Sequence, residues 1–301
     1  MDCSNRMGGI LMSAELFFQS LIDGILMGGI YGLVAIGLTL IFGVMKIINF
    51  AQGSLLMLGM YVSYWCFALL GLSPYVSLPL SALILFLIGI AIQRGVLQRM
   101  AGAPDHNQLL VTLGISLFIE NLALVIFKPD FRSVDVEGIP ATISILNLNI
   151  HTTKLIAFGF TVLLAIALFY FLKKTYIGKA IRATSINSGG AALVGVNIKK
   201  VNYIAFGIGA ALAGVAGALI TPFFYTSPTV GSSFILTAFV VVVLGGLGNF
   251  LGALIGGILI GVTEALGGAI LPGSLKELVP YIIFILILML KPNGLFGGKA
   301  R

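Results

Sequence analysis

The stretch Leu16–Val44 reads LFFQSLIDGILMGGIYGLVAIGLTLIFGV and carries a single charge, Asp23. It exceeds the about 20 apolar residues that a helix needs to cross a bilayer. A transmembrane barrel strand would show short segments alternating polar and apolar residues. This run is continuous, so the expected element is a helix. The same signature recurs along the chain at 54–70, 75–92, 108–127, 155–172, 201–221, 234–247, 251–270 and 279–290. The expected fold is all-α: a polytopic transmembrane helical bundle of about eight to nine spans. The 234–247 run is short and interrupted afterwards by Gly245, Gly246 and Gly248, which leaves a re-entrant element there as an alternative to a crossing.

Composition points the same way. Hydrophobic residues make up 59% of the chain and charged residues 9%, with a mean hydropathy of +1.12. Soluble domains carry about 25% charged residues, and so few charges cannot cover a surface in water. Residues 1–13 are polar and glycine-rich and are expected to be a disordered N-terminal extension, with 14–301 forming one transmembrane domain. The apolar run after them is too long for a signal-peptide core, so the first span is expected to be retained. Two cysteines, Cys3 and Cys66, are too few for a disulfide framework and leave one pairing open.

The net charge of +7 is informative through its distribution rather than as a sign of nucleic-acid binding. If all nine runs cross and the 173–200 loop is cytoplasmic, one face holds Lys46, Arg94, Arg99, Lys173, Lys174, Lys179, Arg182, Lys199, Lys200, Lys291, Lys299 and Arg301. The other holds Arg6, Lys128, Arg132, Lys154 and Lys276, so the split of the 17 basic residues is twelve to five. An excess of Lys and Arg in short loops marks the cytoplasmic side. This places the N-terminus outside and the C-terminus inside. The 128–153 segment is then the largest outer loop, and its alternating 141–150 stretch is suited to a short hairpin.

Enzymatic chemistry finds no support. There is no GxxxxGK[ST] phosphate loop, no Cys/His cluster at metal spacing, and no nucleophile with its base. Three acids fall within apolar runs. Asp23 lies near the outer end of its run, at a solvated interface. Glu120 and Glu264 lie deeper, either along a transport path or in interhelical hydrogen bonds. The break Asn49-Phe-Ala-Gln-Gly-Ser54 places Asn49, Gln52 and Ser54 either against a cavity or in a cytoplasmic turn. Small residues at helical spacing, Gly207/Ala210/Gly214/Gly217 and Gly252/Gly256/Gly257/Gly261, suit closely packed helices. The polar 173–200 loop is expected to form one or two short surface helices, and its Gly-bounded, Ala-rich middle suits protein docking.

Several segments together carry a resemblance: GLTLIFGVMKIINFAQG from Gly37 to Gly53, LGMY from Leu58, Arg182-Ala183 with Asn187, and Gly195-Val-Asn197. They continue with GAALAGVAG from Gly209, VLGGLG from Val243, LGALIGG from Leu251 and PNGLFG from Pro292. In order and spacing this set resembles the branched-chain amino acid ABC permease family, in its shorter subunit type. The resemblance implies an importer subunit of the inner membrane working with a second permease subunit, two cytoplasmic ATPase subunits that bind the ATP, and an extracytoplasmic solute-binding protein. It carries over ATPase coupling to the 173–200 loop, at Gly178, Arg182, Ala183, Asn187, Ala191, Gly195 and Asn197. Related permeases also take urea, amides or other amino acids. Where the family often has an acid, this chain has Ser54. A rival from another class is a secondary transporter or channel without ATPases, with Glu120 and Glu264 as its ion sites.

Overall fold

A computed structural model describes residues 14–100, 102–136, 140, 142–145, 148–271, 278–292 and 294–297. The expected N-terminal extension and any pairing by Cys3 lie outside these residues. Each of the nine apolar runs forms a helix. The chain runs α1 (Ala14–Met45), α2 (Gln52–Leu70), α3 (Leu78–Gly95), α4 (Asp105–Phe127), a hairpin of β1 (Thr142–Ile145) and β2 (Leu148–His151), and α5 (Thr152–Lys174). It continues with α6 (Tyr176–Ile186), α7 (Ser188–Leu193), α8 (Ile198–Ile220), α9 (Val230–Gly245), α10 (Phe250–Ile270) and α11 (Leu278–Leu290). Seven of these are long and apolar enough to cross a membrane; α9 and α11, with 16 and 13 residues, are shorter. At 1.5 Å per residue they span about 24 and 20 Å, less than the about 30 Å hydrocarbon core.

Helices α1 and α8 form the interior, with Ile30, Leu33, Leu40, Phe206, Ala213 and Leu219 fully buried. Helix α2 packs on them, and α3, α9 and α10 close the bundle. The outer surfaces of α4, α5 and α11 expose apolar side chains such as Phe118, Val125, Ile166 and Met289. In water such a surface would aggregate; against lipid it is the solvated face.

Helices of hydrocarbon-soluble sequence gain nothing from burying leucine against leucine, so close backbone approach must hold them. The α1–α10 seam shows this. Gly24, Gly28 and Gly32 meet Gly261, Gly257 and Leu254 in antiparallel order, and a Cβ added at Gly28 would sit 2.6 Å from the Gly257 carbonyl oxygen. Such contact is open only to glycine.

Outside the bundle, β1 and β2 pair antiparallel with Thr142 opposite His151, the hairpin anticipated for the outer loop. Gln19 on α1 holds it: its Nε2 donates to the Asn149 carbonyl at 2.7 Å, and its Oε1 accepts from the Asn149 N–H at 2.9 Å. Upstream of the hairpin, Arg132 pairs through its backbone with Thr226 in the α8–α9 connection. The Arg132 guanidinium lies 5.2 Å from the rings of both Tyr64 and Trp65.

Candidate functional site

Three polar regions interrupt the apolar bundle. The first is the break between α1 and α2. Helix α1 ends at Met45, Lys46 takes a φ of 59°, and the chain turns through Phe50 and Ala51 before α2 starts at Gln52. A break exposes unpaired backbone groups, which hydrocarbon does not tolerate. Side chains supply the partners here. Asn49 Nδ2 donates to Gln52 Oε1 at 3.3 Å, while Asn49 Oδ1 accepts from the Ala51 N–H at 3.2 Å. Gln52 Nε2 donates to the Gly209 carbonyl of α8 at 3.0 Å. From α4, Thr112 Oγ1 donates to the Ile48 carbonyl at 3.0 Å and accepts from the Phe50 N–H at 3.3 Å. Ser54 Oγ lies 2.7 Å from Ser116 Oγ. Asn49, Gln52 and Ser54 are thus buried together in a hydrogen-bonded joint between α2, α4 and α8, and they line neither cavity described below.

The second region is a pair of adjoining cavities beside the α1–α10 seam. One, of about 410 Å³, is lined by residues including Met27, Tyr31, Phe234, Thr237, Glu264 and Tyr281. The other, of about 290 Å³, is lined by Ser20, Asp23, Met27, Lys154, Glu264 and Ala265, among others. Met27 and Glu264 belong to both. Lys154 Nζ stands 3.2 Å from Asp23 Oδ1, with the two side chains 24% and 27% exposed. Gln19 Nε2 donates to the other Asp23 oxygen at 3.0 Å. The chain from hairpin to Gln19 to Asp23 to Lys154 therefore ends at the mouth of the smaller cavity. Glu264 stands where the two cavities meet, whereas Glu120 is half-buried on the peripheral α4 and lines neither.

The third region is the loop between α5 and α8, which folds as the two short helices α6 and α7. The seven residues picked out there divide by role. Gly178 is buried where a Cβ would strike the Phe171 carbonyl and Leu172, so it lets α6 fold back against the end of α5. Ala191 is buried. Asn187 and Asn197 cap α7 and α8, their Oδ1 atoms accepting from Gly190 N–H at 2.9 Å and Lys200 N–H at 3.1 Å. Gly195 takes a φ of +87° at the turn between them, a conformation disfavoured for other residues. Arg182 and Ala183 are exposed.

Sequence reasoning missed the most exposed part of this loop. Ile186, Leu193 and Val194 stand 85%, 90% and 79% exposed, on the same loop as Arg182 and several lysines. Their signal was their isolation: apolar residues outside any span have no reason to face solvent unless something covers them. It also missed the Asp23–Lys154 pair. Each lies at one end of its own helix, and only the packing of α1 against α5 joins them.

Comparison with known proteins agrees with this arrangement. The family model described as branched-chain amino acid transport system / permease component matches residues 20–288. The chain is 32% identical over 296 residues to the high-affinity branched-chain amino acid transport system permease protein LivH of Salmonella typhimurium, covering 93% of this chain and 96% of that relative. It is 30% identical to the permease protein BraD of Pseudomonas aeruginosa, with the same coverage of both chains. It is 31% identical to a probable LivH of Methanocaldococcus jannaschii, covering 95% of each. No solved structure matches it. A membrane-embedded helical bundle with an internal polar cavity and a folded loop between two spans matches what a permease needs, and the chain belongs to the family of permease components of branched-chain amino acid transport systems.

Proposed function

We infer that this chain is one of two membrane subunits of an ATP-driven importer for branched-chain amino acids. In this reading an extracytoplasmic binding protein delivers Leu, Ile or Val. Two cytoplasmic ATPases drive access from one side of the membrane to the other, and the chain itself hydrolyses nothing. It sits in the inner membrane with its N-terminus outside and its C-terminus in the cytoplasm, an orientation that the twelve-to-five split of basic residues supports. The relatives' names supply the substrate class.

One observation carries the reading: the α6–α7 loop. A carrier without ATPases has no use for two capped helices that hold Ile186, Leu193 and Val194 in solvent on the loop that carries Arg182. An ATPase subunit docked there would cover the apolar side chains and meet the guanidinium. Leu193→Glu and Arg182→Glu test this. Each adds an acid to a predicted contact surface while leaving the caps and the buried Gly178 intact. Expressed with its neighbouring reading frames and purified in detergent, the unmodified chain is expected to bring down an ATPase and a second permease, and both variants are expected to lose the ATPase. Variants that retain the ATPase at full stoichiometry would remove the coupling assignment. A chain that purifies alone and moves solute in liposomes without ATP would replace the importer with a secondary transporter.

A further inference from the structure

We propose that the two adjoining cavities form a binding site for a zwitterionic α-amino acid within this chain, with Lys154 taking the carboxylate, Glu264 the ammonium, and the larger cavity the apolar side chain. The proposal rests on the importer reading and gives it residues.

The charges are of the right kinds in the right place. The smaller cavity holds one ammonium, Lys154, and two carboxylates, Asp23 and Glu264. A bare cation would meet Lys154 as a repelling group, and a simple anion would meet the two acids. A zwitterion finds a partner for each end. Ionisable groups inside a bundle cost free energy and mark solute pathways. Here one of them, Glu264, stands at the junction of the two chambers.

Lys154 is available for this role although it is paired. An ammonium has three donors, and its hydrogen bond to Asp23, at 3.2 Å, uses one. Both side chains keep about a quarter of their surface exposed, so the pair is open to an arriving solute. An arriving carboxylate can share Lys154 or displace Asp23, which keeps the Gln19 amide as a partner.

The side chain has somewhere to go. Past Met27 and Glu264 the larger cavity is lined both by apolar residues, Leu236, Val240, Ile260, Phe224 and Phe234, and by polar ones, among them Tyr31, Ser233, Thr237 and Tyr281. Its volume of about 410 Å³ is within the range of small-molecule sites. A branched aliphatic chain can lie against the apolar residues, while a charged side chain would have no counter-ion in this lining other than Glu264. Met27 and Glu264 also lie on α1 and α10, the pair locked by the glycine seam, so the site stands on rigid elements.

The site also meets the outer hairpin. Asn149 holds Gln19, Gln19 holds Asp23, and Asp23 holds Lys154. A binding protein resting on the hairpin would therefore act on the group that receives the carboxylate.

The test places a thiol in the smaller cavity: Ala265→Cys, in the assembled complex carrying Cys3→Ser and Cys66→Ala, in nanodiscs without the binding protein. The rate of labelling by a methanethiosulfonate reagent is measured with no addition and with millimolar leucine, 4-methylpentanoate (carboxylate only) or 3-methylbutylamine (ammonium only). Leucine is expected to slow labelling at least threefold, and neither one-charged analogue to do so. Lys154→Met and Glu264→Gln are each expected to abolish the protection, and Lys154→Arg and Glu264→Asp to restore most of it. Equal protection by all three compounds, no protection by leucine, full protection in the two neutral variants, or a cysteine that no reagent reaches would each overturn the site. The importer reading is scored separately, by ATP-driven leucine uptake of the unmodified complex with its loaded binding protein. That uptake can stand while the site fails.

Discussion

Replacing Gly28 with alanine adds one methyl group to the α1–α10 seam. The new Cβ would stand 2.6 Å from the Gly257 carbonyl oxygen and 2.7 Å from the Ile258 Cα, against 3.4–4 Å for ordinary van der Waals contact. Both obstructing atoms are backbone, so no side chain can rotate away, and one helix must move by about 1 Å. The neighbouring contacts at Gly24–Val262 and Gly32–Leu254 would open with it. Overpacking of this kind costs about 1–3 kcal/mol. Against it stands the better helix propensity of alanine, at most about 1 kcal/mol. Gly159 and Gly114, on α5 and α4, supply the control, because nothing lies within 4 Å of a Cβ built at either position. Their alanine variants collect the propensity gain without the clash. The two classes should therefore move in opposite directions. At about 2–4 °C per kcal/mol, Gly28→Ala is expected to lower the melting temperature in detergent by several degrees, while Gly159→Ala and Gly114→Ala leave it unchanged or raise it slightly. Size-exclusion chromatography with fluorescence detection after heating measures this. A Gly28→Ala protein as stable as the Gly159→Ala protein would refute the view that close backbone contact holds these two helices.

Two further outcomes follow from the polar groups. Thr112→Val leaves the Ile48 carbonyl and the Phe50 N–H without their side-chain partner. It is expected to cost about 1–3 kcal/mol, visible in the same heating assay, and an unchanged melting temperature would show that the α1–α2 joint does not depend on it. Glu120→Gln, half-buried on the peripheral α4 and outside both cavities, is expected to leave ATP-driven uptake within about twofold of the unmodified complex. A complete loss of uptake by a well-folded variant would place the solute path along α4 instead.

The helices were legible because their signal is local. A run such as Leu155–Leu172 has no aqueous alternative, and its length alone predicts a span. The hairpin and the two loop helices were legible for the same reason, through the alternation along 141–150 and through the Gly-bounded, Ala-rich middle of the 173–200 loop. The loop residues chosen by resemblance were sorted only by the fold. Gly178 and Ala191 shape the loop from within, while Ile186, Leu193 and Val194, which the resemblance did not pick out, are what it presents.

The polar residues divide along the same line. Sequence marked Asn49, Gln52 and Ser54 at a break between apolar runs and Glu120 and Glu264 within them, and it left both a path and a structural role open for all five, because residue type does not say what a polar group meets. What each does depends on its neighbours. Gln52 reaches Gly209, 157 residues away, and is consumed in a joint. Glu264 comes to stand beside Lys154 and Asp23, in a chamber built from three helices distant in the chain. Hydrophobic length determined that this protein lies in a membrane and roughly how often the chain crosses it. Which of its few polar residues close a joint between helices, and which line a cavity, was decided by how the helices pack together.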